Sequence, residues 1–435
     1  MNIAKISDII LWRCKRLILY IGRSMMRWDG MTKNKSLGIY AIIGMLTTTV
    51  VLAFARLSYG VVLPFMKDGL DISYQQAGYL GTTTSLGYLS TVVFAGILAA
   101  KWGGKRTVIL GISLVTAGFV GLALSPFYWM MYGFMLFLGI GTAFTYTPFI
   151  SLLVARFPQK KGLMIGLATS GVGIGMLFAG IVVPYLGSVY VDIGWRITWG
   201  IYAAIAFVVV LLTLRFIEHT PSESESSNNK KQTTSPKEIY LNPNVMIVGF
   251  IYGIIGIAYI VQVIFVMSFM IESGVSNKIA GQLMAVNGIL SIFSGFIWGG
   301  VSDKLGRRFS LVSTMGLVLF SMLVPVFFPT ILGFTIHIII ISCTITGLFT
   351  LIQASSMDHV EPNDMPVAFG YVTFYFAAGQ LIGPSIAGWL IDGFGGFKTA
   401  FLFCAICLMV GFVLTLKVKN SEEVQQVETP ISIES

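Results

Sequence analysis

Charged residues are scarce in this chain: they make up 11% of its 435 residues, whereas hydrophobic residues make up 55%. Together with a mean hydropathy of +0.83, this composition excludes an ordinary soluble globular protein and indicates a chain that is mostly surrounded by lipid. Acidic residues are also missing from the long apolar runs. An enzyme that needs paired carboxylates inside the membrane is therefore excluded.

Cysteine is equally rare, and its spacing does not form a set of metal ligands. The Cys404–Cys407 pair lies in an apolar run, so packing explains it better than redox chemistry. No glycine-rich loop for nucleotide phosphates is present, and the run from Asp358 to Glu361 reads as a solvated turn. The sequence therefore predicts no metal and no cofactor. The four cysteines are Cys14, Cys343, Cys404 and Cys407.

Long apolar runs are what the chain does have. A helix needs about 20 apolar residues to cross the hydrocarbon layer, and about twelve such runs can be marked off, which predicts an all-α integral membrane protein. The predicted spans are 37–63, 74–98, 106–125, 127–150, 162–186, 195–215, 244–270, 278–300, 309–328, 331–356, 367–390 and 398–417.

Lysine and arginine are distributed unevenly between the connections. If the N-terminus is inside, 23 of the 28 basic residues fall in cytoplasmic segments, as the positive-inside rule requires. The net charge of +9 is thereby explained without nucleic acid as a partner. We expect a multi-pass protein of the cell membrane with both termini cytoplasmic.

Three polar segments divide the chain. Residues 216–243 form the one long polar interval and separate six spans from six, so we expect a flexible cytoplasmic linker between halves 37–215 and 244–417. Residues 418–435 form a short polar tail. The basic segment 1–36 has two interpretations: an interfacial helix on anionic lipid, or a segment that precedes a natural start at Met31.

The two halves are copies of one another. The turn from Gly299 to Arg308, between two apolar runs, recurs 203 residues earlier from Gly96 to Arg106. At the same offset, Ser73 corresponds to Ser276. Agreement at separated points without a gap indicates an internal duplication.

Small residues also recur at equivalent places in the fifth and eleventh spans. Spacing of four residues puts them on one helix face, where a neighbouring backbone can approach closely in lipid, and prolines there favour bends. We predict helix packing for Gly171, Gly175, Gly180, Gly379, Gly383, Pro384 and Gly388.

Taken together, these features resemble the major facilitator superfamily, over about residues 37–417. The narrower pattern Phe54-Ala55-Arg56-Leu57-Ser58-Tyr59-Gly60, Leu63-Pro64 and Gln76-Ala77-Gly78-Tyr79-Leu80-Gly81 resembles its bacterial YbfB/YjiJ-type branch. The resemblance implies two six-helix pseudo-symmetric halves that rock around a central site. It also implies a cytoplasmic latch formed by Gly96, Lys105, Arg106, Gly299, Asp303, Gly306, Arg307 and Arg308.

In the second half this latch motif is complete. Asp303 can accept hydrogen bonds from a helix N-terminus or pair with an arginine, whereas Ala100 occupies the acidic position in the first half. The latch would therefore be asymmetric. A solvated turn that merely obeys the positive-inside rule remains the alternative.

Arg56 is the only basic residue well inside a predicted span. Buried charge is expensive in lipid, so such a residue is a candidate functional group. It lies about 9 Å from the centre of its span, which leaves two interpretations: an arginine that reaches for the interface, or a guanidinium that offers its donors to a carboxylate in a central cavity.

The duplication and the polar residues of other spans suggest partners for Arg56. Arg56 corresponds to Tyr259 and Tyr59 to Gln262. His337 is expected to be a packed or interfacial histidine rather than a proton relay. The predicted substrate site is Arg56, Tyr59, Tyr146, Tyr259, Gln262, Asn287, Tyr375 and Gln380.

These features favour a transporter or facilitator for a small organic anion such as a monocarboxylate, acting as a monomer in lipid, with or without a coupling ion. Export of amphipathic compounds is the alternative, since 13% of the residues are aromatic. A membrane sensor is less favoured because the tail is short. A proton-driven drug pump is disfavoured because Met135 and Met176 replace the arginine and proline that resembling pumps carry.

Overall fold

The computed structural model describes residues 31–218, 236–357, 360 and 365–418, and in these ranges the regular structure is entirely helical. The first helical unit, α1, is made of Met31–Thr48, a π-helical segment Thr49–Leu57, and Tyr59–Leu70. The other long helices are α2 (Tyr74–Trp102), α3 (Gly104–Leu124), α4 (Tyr128–Arg156), α5 (Lys161–Val189), α6 (Gly194–Phe216), α7 (Pro243–Glu272), α8 (Asn277–Leu305), α9 (Arg307–Phe327), α10 (Ile331–Met357), α11 (Met365–Gly393) and α12 (Gly396–Thr415).

These helices match the predicted membrane protein. Eleven of the described helices are long and apolar enough to cross a membrane, and α2, which bends by 50°, brings the count to twelve. The helical unit of the first span continues to Leu70, beyond the predicted end of the span at residue 63. Pro64 lies inside this helix, where packing against α7 supports the local backbone.

Several predicted segments fall outside the described residues. They are 1–30 of the basic N-terminal segment, 219–235 of the linker, 419–435 of the tail, and three residues of the 358–361 turn. The linker's last part contains a short helix, Pro236–Tyr240.

The duplication is visible in local backbone geometry. Gly103 joins α2 to α3 with φ 89° and ψ 141°, and Gly306 joins α8 to α9 with φ 86° and ψ 155°. Residues other than glycine rarely adopt such positive φ angles, so glycine suits both positions. Ser73 and Ser276 likewise cap the equivalent helices α2 and α8, each accepting a hydrogen bond from a backbone N–H three residues on.

Among the described residues, most contacts between the halves come from three helix pairs: α5 with α8, α2 with α11, and the Tyr59–Leu70 part of α1 with α7. We call the end of the bundle that carries residues 31, 218, 236 and 418 the linker end, and the opposite end the far end. A Cβ on Gly180 would lie 2.6 Å from atoms of Gly281 and Ala285, and a Cβ on Gly388 would lie 2.5 Å from the Tyr74 carbonyl oxygen. The halves are therefore in backbone contact towards the far end.

The glycines of the same four helices make no such contact towards the linker end. Among the described residues, nothing outside the local helical turn would lie within 4 Å of a Cβ on Gly96 of α2, Gly166 of α5, Gly299 of α8 or Gly370 of α11. The close glycine contacts between the halves are thus found towards the far end.

Candidate functional site

Arg56 lies in the last turn of the π-helical segment of α1. The wider turn shows in the hydrogen bond from the Ser58 N–H to the Ala53 carbonyl, five residues back, at 2.7 Å. Side chains of neighbouring helices support this segment: the Thr142 hydroxyl lies 2.9 Å from the Val51 carbonyl oxygen, and the Thr49 hydroxyl donates to Gly171 at 2.7 Å. Short π-helical stretches occur frequently at functional sites, because they redirect the side chains that follow.

The Arg56 guanidinium connects the two halves. Its Nη2 donates to Oε1 of Gln380 on α11 at 2.6 Å, and its carbon lies 4.4 Å from the centre of the Tyr88 ring on α2. Gln380 is buried, whereas Arg56 remains partly exposed although Ala55 and Ser58 beside it are buried. The side chain therefore points into the space between the halves.

No described carboxylate pairs with Arg56. Lys67 pairs with Asp68 and Arg156 with Glu218, whereas the Arg56 guanidinium lies over the Tyr88 ring. A guanidinium carries five N–H donors, and the Gln380 amide takes one of them. The remaining donors suit an anion that enters the cleft.

Three of the predicted partners lie around Arg56. Gln380 bonds to it directly, Tyr259 of the other half lies within electrostatic range of the guanidinium, and Tyr146 lies within the same range of Tyr88. Tyr88 itself was not predicted as a site residue. It lies on α2, which faces the cleft.

Tyr59 and Gln262, which correspond in the two halves, both turn into the protein core. Tyr59 is 3% exposed and Gln262 2%. The Tyr59 hydroxyl donates to the Ala77 carbonyl at 2.8 Å and holds α1 against α2. The Gln262 amide nitrogen is buried without a hydrogen-bond partner among the described residues.

Asn287 and Tyr375 also lie apart from Arg56. The Asn287 side-chain oxygen accepts from the Ser342 hydroxyl at 2.7 Å, which joins α8 to α10. The Tyr375 hydroxyl is 2.8 Å from that of Tyr371, nearer the linker end. His337 is buried and bonds the Ser321 carbonyl at 2.7 Å, as a packed histidine does.

A group of four rings lies on the Arg56 side of the second half, and only Tyr259 among them was predicted as a site residue. The Tyr252 and Phe376 rings stack at 4.3 Å, Phe349 and Phe376 meet at 5.3 Å, and Tyr259 meets Phe349 edge-on at 5.0 Å. We call Tyr252, Tyr259, Phe349 and Phe376 the aromatic wall. Phe376 precedes Gln380 by one helical turn on α11, so the wall begins where the Arg56–Gln380 bond ends.

The far end is held by polar contacts between the halves. The Asp392 carboxylate at the end of α11 accepts hydrogen bonds from the first backbone N–H groups of α2, those of Tyr74 at 3.2 Å and Gln75 at 2.6 Å. The Tyr74 hydroxyl donates to Glu272 at 3.1 Å. A carboxylate at a helix N-terminus is favourably placed. We call these contacts the far-end clamp.

The predicted latch residues lie at the linker end. Lys105 donates to the Leu214 carbonyl at 3.0 Å, and Arg308 donates to the Leu416 carbonyl at 2.8 Å. These two cations lie at equivalent positions in the repeat, and each binds the C-terminal end of the sixth helix of its own half. Arg106 is exposed and Arg307 begins α9, while the Asp303 side chain lies outside the described residues.

The predicted packing residues all lie in close contacts. Cβ atoms on Gly171 and Gly175 would collide with α1, and those on Gly379 and Gly383 would meet α7, so both pairs lie against the first helix of their own half. The remaining three lie on contacts between the halves: Gly180 on α8, the Pro384 carbonyl on Gly78, and Gly388 on α2.

A family model of the Major Facilitator Superfamily matches residues 45–379 and 265–432. The hexuronate transporter of Bacillus subtilis (strain 168) is 23% identical over 370 residues, which cover 80% of this chain and 86% of that protein. Monocarboxylate transporter 12 of Mus musculus is 23% identical over 394 residues, which cover 83% of this chain and 81% of that protein. Multidrug resistance protein 2 of Bacillus subtilis (strain 168) is 21% identical over 393 residues, which cover 85% of this chain and 93% of that protein.

The fold has solved relatives too. The crystal structure of a point mutant of the nucleoside transporter NupG superposes with a TM-score of 0.76 at 14% identity, over 88% of this chain and 99% of that one. The curated relatives carry names of chemically different substrates, so their names do not fix a substrate class.

Proposed function

The chain belongs to the Major Facilitator Superfamily and is a membrane transporter, and we propose that it moves a small organic anion, such as a monocarboxylate, by alternating access. The cell membrane is the compartment we infer, with both termini on the cytoplasmic side because most basic residues then face the cytoplasm. With that orientation the linker end faces the cytoplasm.

The observation that carries the proposal is Arg56, a cation between the halves that has no carboxylate partner among the described residues. A cation in such a place raises the local potential and favours an anion. Its single amide partner leaves the planar donor fork available for a carboxylate. A cationic substrate would be repelled at this point.

The position of Arg56 also suggests how binding and conformation are linked. Its hydrogen bond to Gln380 crosses from one half to the other. A carboxylate bound there would contact both halves and would feel any rotation between them. The helix pairs α5–α8 and α2–α11, which are in contact towards the far end, are where rocking would occur.

Export of amphipathic organic compounds is the second candidate. The aromatic wall favours it, because Tyr259, Phe349 and Phe376 are partly exposed and rings of this kind bind apolar surfaces without strict geometry. This candidate predicts that neutral or cationic amphipathic compounds bind and that Arg56 contributes little.

Thermal stabilisation of the purified protein separates these candidates. Small carboxylates, amines and neutral solutes are compared on the wild type and on Arg56→Ala, with Arg196→Ala as the matched control. Arg196 lies in α6 and donates to the Ala123 and Ser125 carbonyls, far from the cleft. At 100 times Kd a ligand stabilises by about 2.7 kcal/mol.

The anion proposal expects carboxylates to raise the Tm of the wild type and of Arg196→Ala but not of Arg56→Ala. If carboxylates stabilise Arg56→Ala as much as the wild type, or if only amines or neutral compounds stabilise the wild type, the proposal is wrong.

A further inference from the structure

We propose that the anion has a planar aromatic ring next to its carboxylate, and that the ring binds against the aromatic wall while the carboxylate binds Arg56. This inference rests on the proposed function, because it assigns the substrate class of the same site. It comes from the juxtaposition of one unneutralised guanidinium with four rings from α7, α10 and α11.

The two halves contribute different chemistry to the site. The first half supplies the charge: Arg56 with the Tyr88 ring below it. The second half supplies an apolar surface of stacked and edge-on rings, of which Phe349 and Phe376 carry no polar group. A ligand that contacts both halves therefore needs an anionic end and an apolar end.

The residue that binds Arg56 and the aromatic wall lie close together. Gln380, which bonds Arg56, and Phe376 are four residues apart on α11, about 6 Å along the helix axis. The Tyr259 ring lies 6.4 Å from that of Phe376, and Tyr259 is within electrostatic range of Arg56. The ring should therefore be attached close to the carboxylate, as in a benzoate.

The wall favours a flat ring over a bulky aliphatic group. Its members already meet one another edge-on and in stacked pairs at 4.3 to 5.3 Å, which are the separations that aromatic rings prefer. One more planar ring can continue this arrangement. A saturated ring of similar size buries comparable apolar area but gains no ring–ring attraction.

Tyr259 of the wall and Tyr146 of α4 offer polar contacts to substituents on the ring, whereas Tyr252 is buried. The Tyr252 hydroxyl accepts from the Gln353 amide at 3.1 Å. Tyr259 and Tyr146 are partly exposed, and neither hydroxyl has a hydrogen-bond partner within the described residues. A ring that bears a hydroxyl or an amino group would find donors and acceptors in these two phenols.

The test measures binding of benzoate, cyclohexanecarboxylate and propionate to the purified full chain by isothermal titration calorimetry. The variants are Phe376→Leu and, as the matched control, Phe374→Leu. Both phenylalanines lie on α11, but Phe374 is 58% exposed and outside the wall.

We expect the wild type and Phe374→Leu to bind benzoate about threefold to tenfold more tightly than cyclohexanecarboxylate, the range given by ring–ring attraction. Phe376→Leu should abolish this preference and still bind propionate as the wild type does. Phe349→Leu is the second variant, in case Phe376→Leu does not fold.

The outcomes distinguish this inference from the proposed function. If none of the three carboxylates binds, the proposed function itself is wrong. If all three bind in an Arg56-dependent way but benzoate has no advantage, or if Phe376→Leu keeps the advantage, then the anion site stands and the aromatic substrate class is wrong.

Discussion

Asp392 should control the balance between the state that is closed at the far end and the state that is open there. Its carboxylate binds the first two backbone N–H groups of α2 in the closed state, and these contacts must break when the halves separate. Replacing a capping side chain with alanine costs about 0.5–2 kcal/mol. Since Asp392 is exposed and solvent screens its charge, we expect the lower part of this range, about 0.5–1 kcal/mol, which is about a twofold to fivefold shift towards the open state.

Distances between two spin labels, measured by double electron–electron resonance, can follow this shift. Suitable label positions are Val191 and Leu332, which are 71% and 69% exposed at the far ends of the two halves. Asp392→Ala should enlarge the population with longer distances, and Asp392→Asn should lie between it and the parent protein. The control is Asp68→Ala, since that side chain is 81% exposed and its ion pair stays within the first half. Identical distance distributions for Asp392→Ala and its parent would refute the role of the clamp.

Three further changes test other parts of the structure. Gly288→Val should disfavour the closed far end by about 1–3 kcal/mol, because a Cβ at residue 288 would lie 2.7 Å from a carbonyl oxygen of α5. The same spin-label measurement should give a larger population with longer distances, whereas the control Gly166→Val, where nothing lies within 4 Å of the added Cβ, should leave the distances unchanged. Thr142→Val should remove the hydroxyl that supports the π-helical segment and lower the free energy of unfolding by about 1–3 kcal/mol, so a thermal unfolding scan should give a lower Tm. Thr169→Val is the control that should keep the Tm, because the Thr169 hydroxyl bonds only its own helix. Arg308→Ala should lower the Tm slightly, by the equivalent of about 0.3–1 kcal/mol, and an unchanged Tm would contradict its role at the end of α12.

The parts of the fold that sequence reasoning recovered are those with a local signal. Twelve spans follow from apolar length, and family membership follows from the duplicated turn and the two halves. Gly103 and Gly306 show why the duplication could be detected in the sequence. Each adopts a positive-φ conformation between two helices, which favours glycine at both positions and keeps the 203-residue offset visible. The narrower branch resemblance, the orientation of the termini and the latch remain predictions.

The candidate site was only partly predictable, for two physical reasons. Tyr59 follows Arg56 by three residues, a spacing that shares a face in a regular α-helix. The π-helical segment changes the turn, and Tyr59 is buried with its hydroxyl on the Ala77 carbonyl instead of lying beside Arg56. The aromatic wall is assembled from α7, α10 and α11, so only tertiary packing brings its rings together. The pairs Tyr252–Tyr259 and Phe376–Gln380, at helical spacing, were the available signal.

The account depends most on Arg56 as the anchor for an anion, and transport is its most direct test. Counterflow of labelled lactate, glucuronate and benzoate into proteoliposomes would be measured for the wild type, Arg56→Lys and Arg56→Gln, with tetraphenylphosphonium as the cationic probe. We predict that at least one carboxylate exchanges in the wild type, that exchange falls in Arg56→Lys, and that it is lost in Arg56→Gln. Exchange of carboxylates by Arg56→Gln at the wild-type rate, or exchange of the cation alone, would contradict the account.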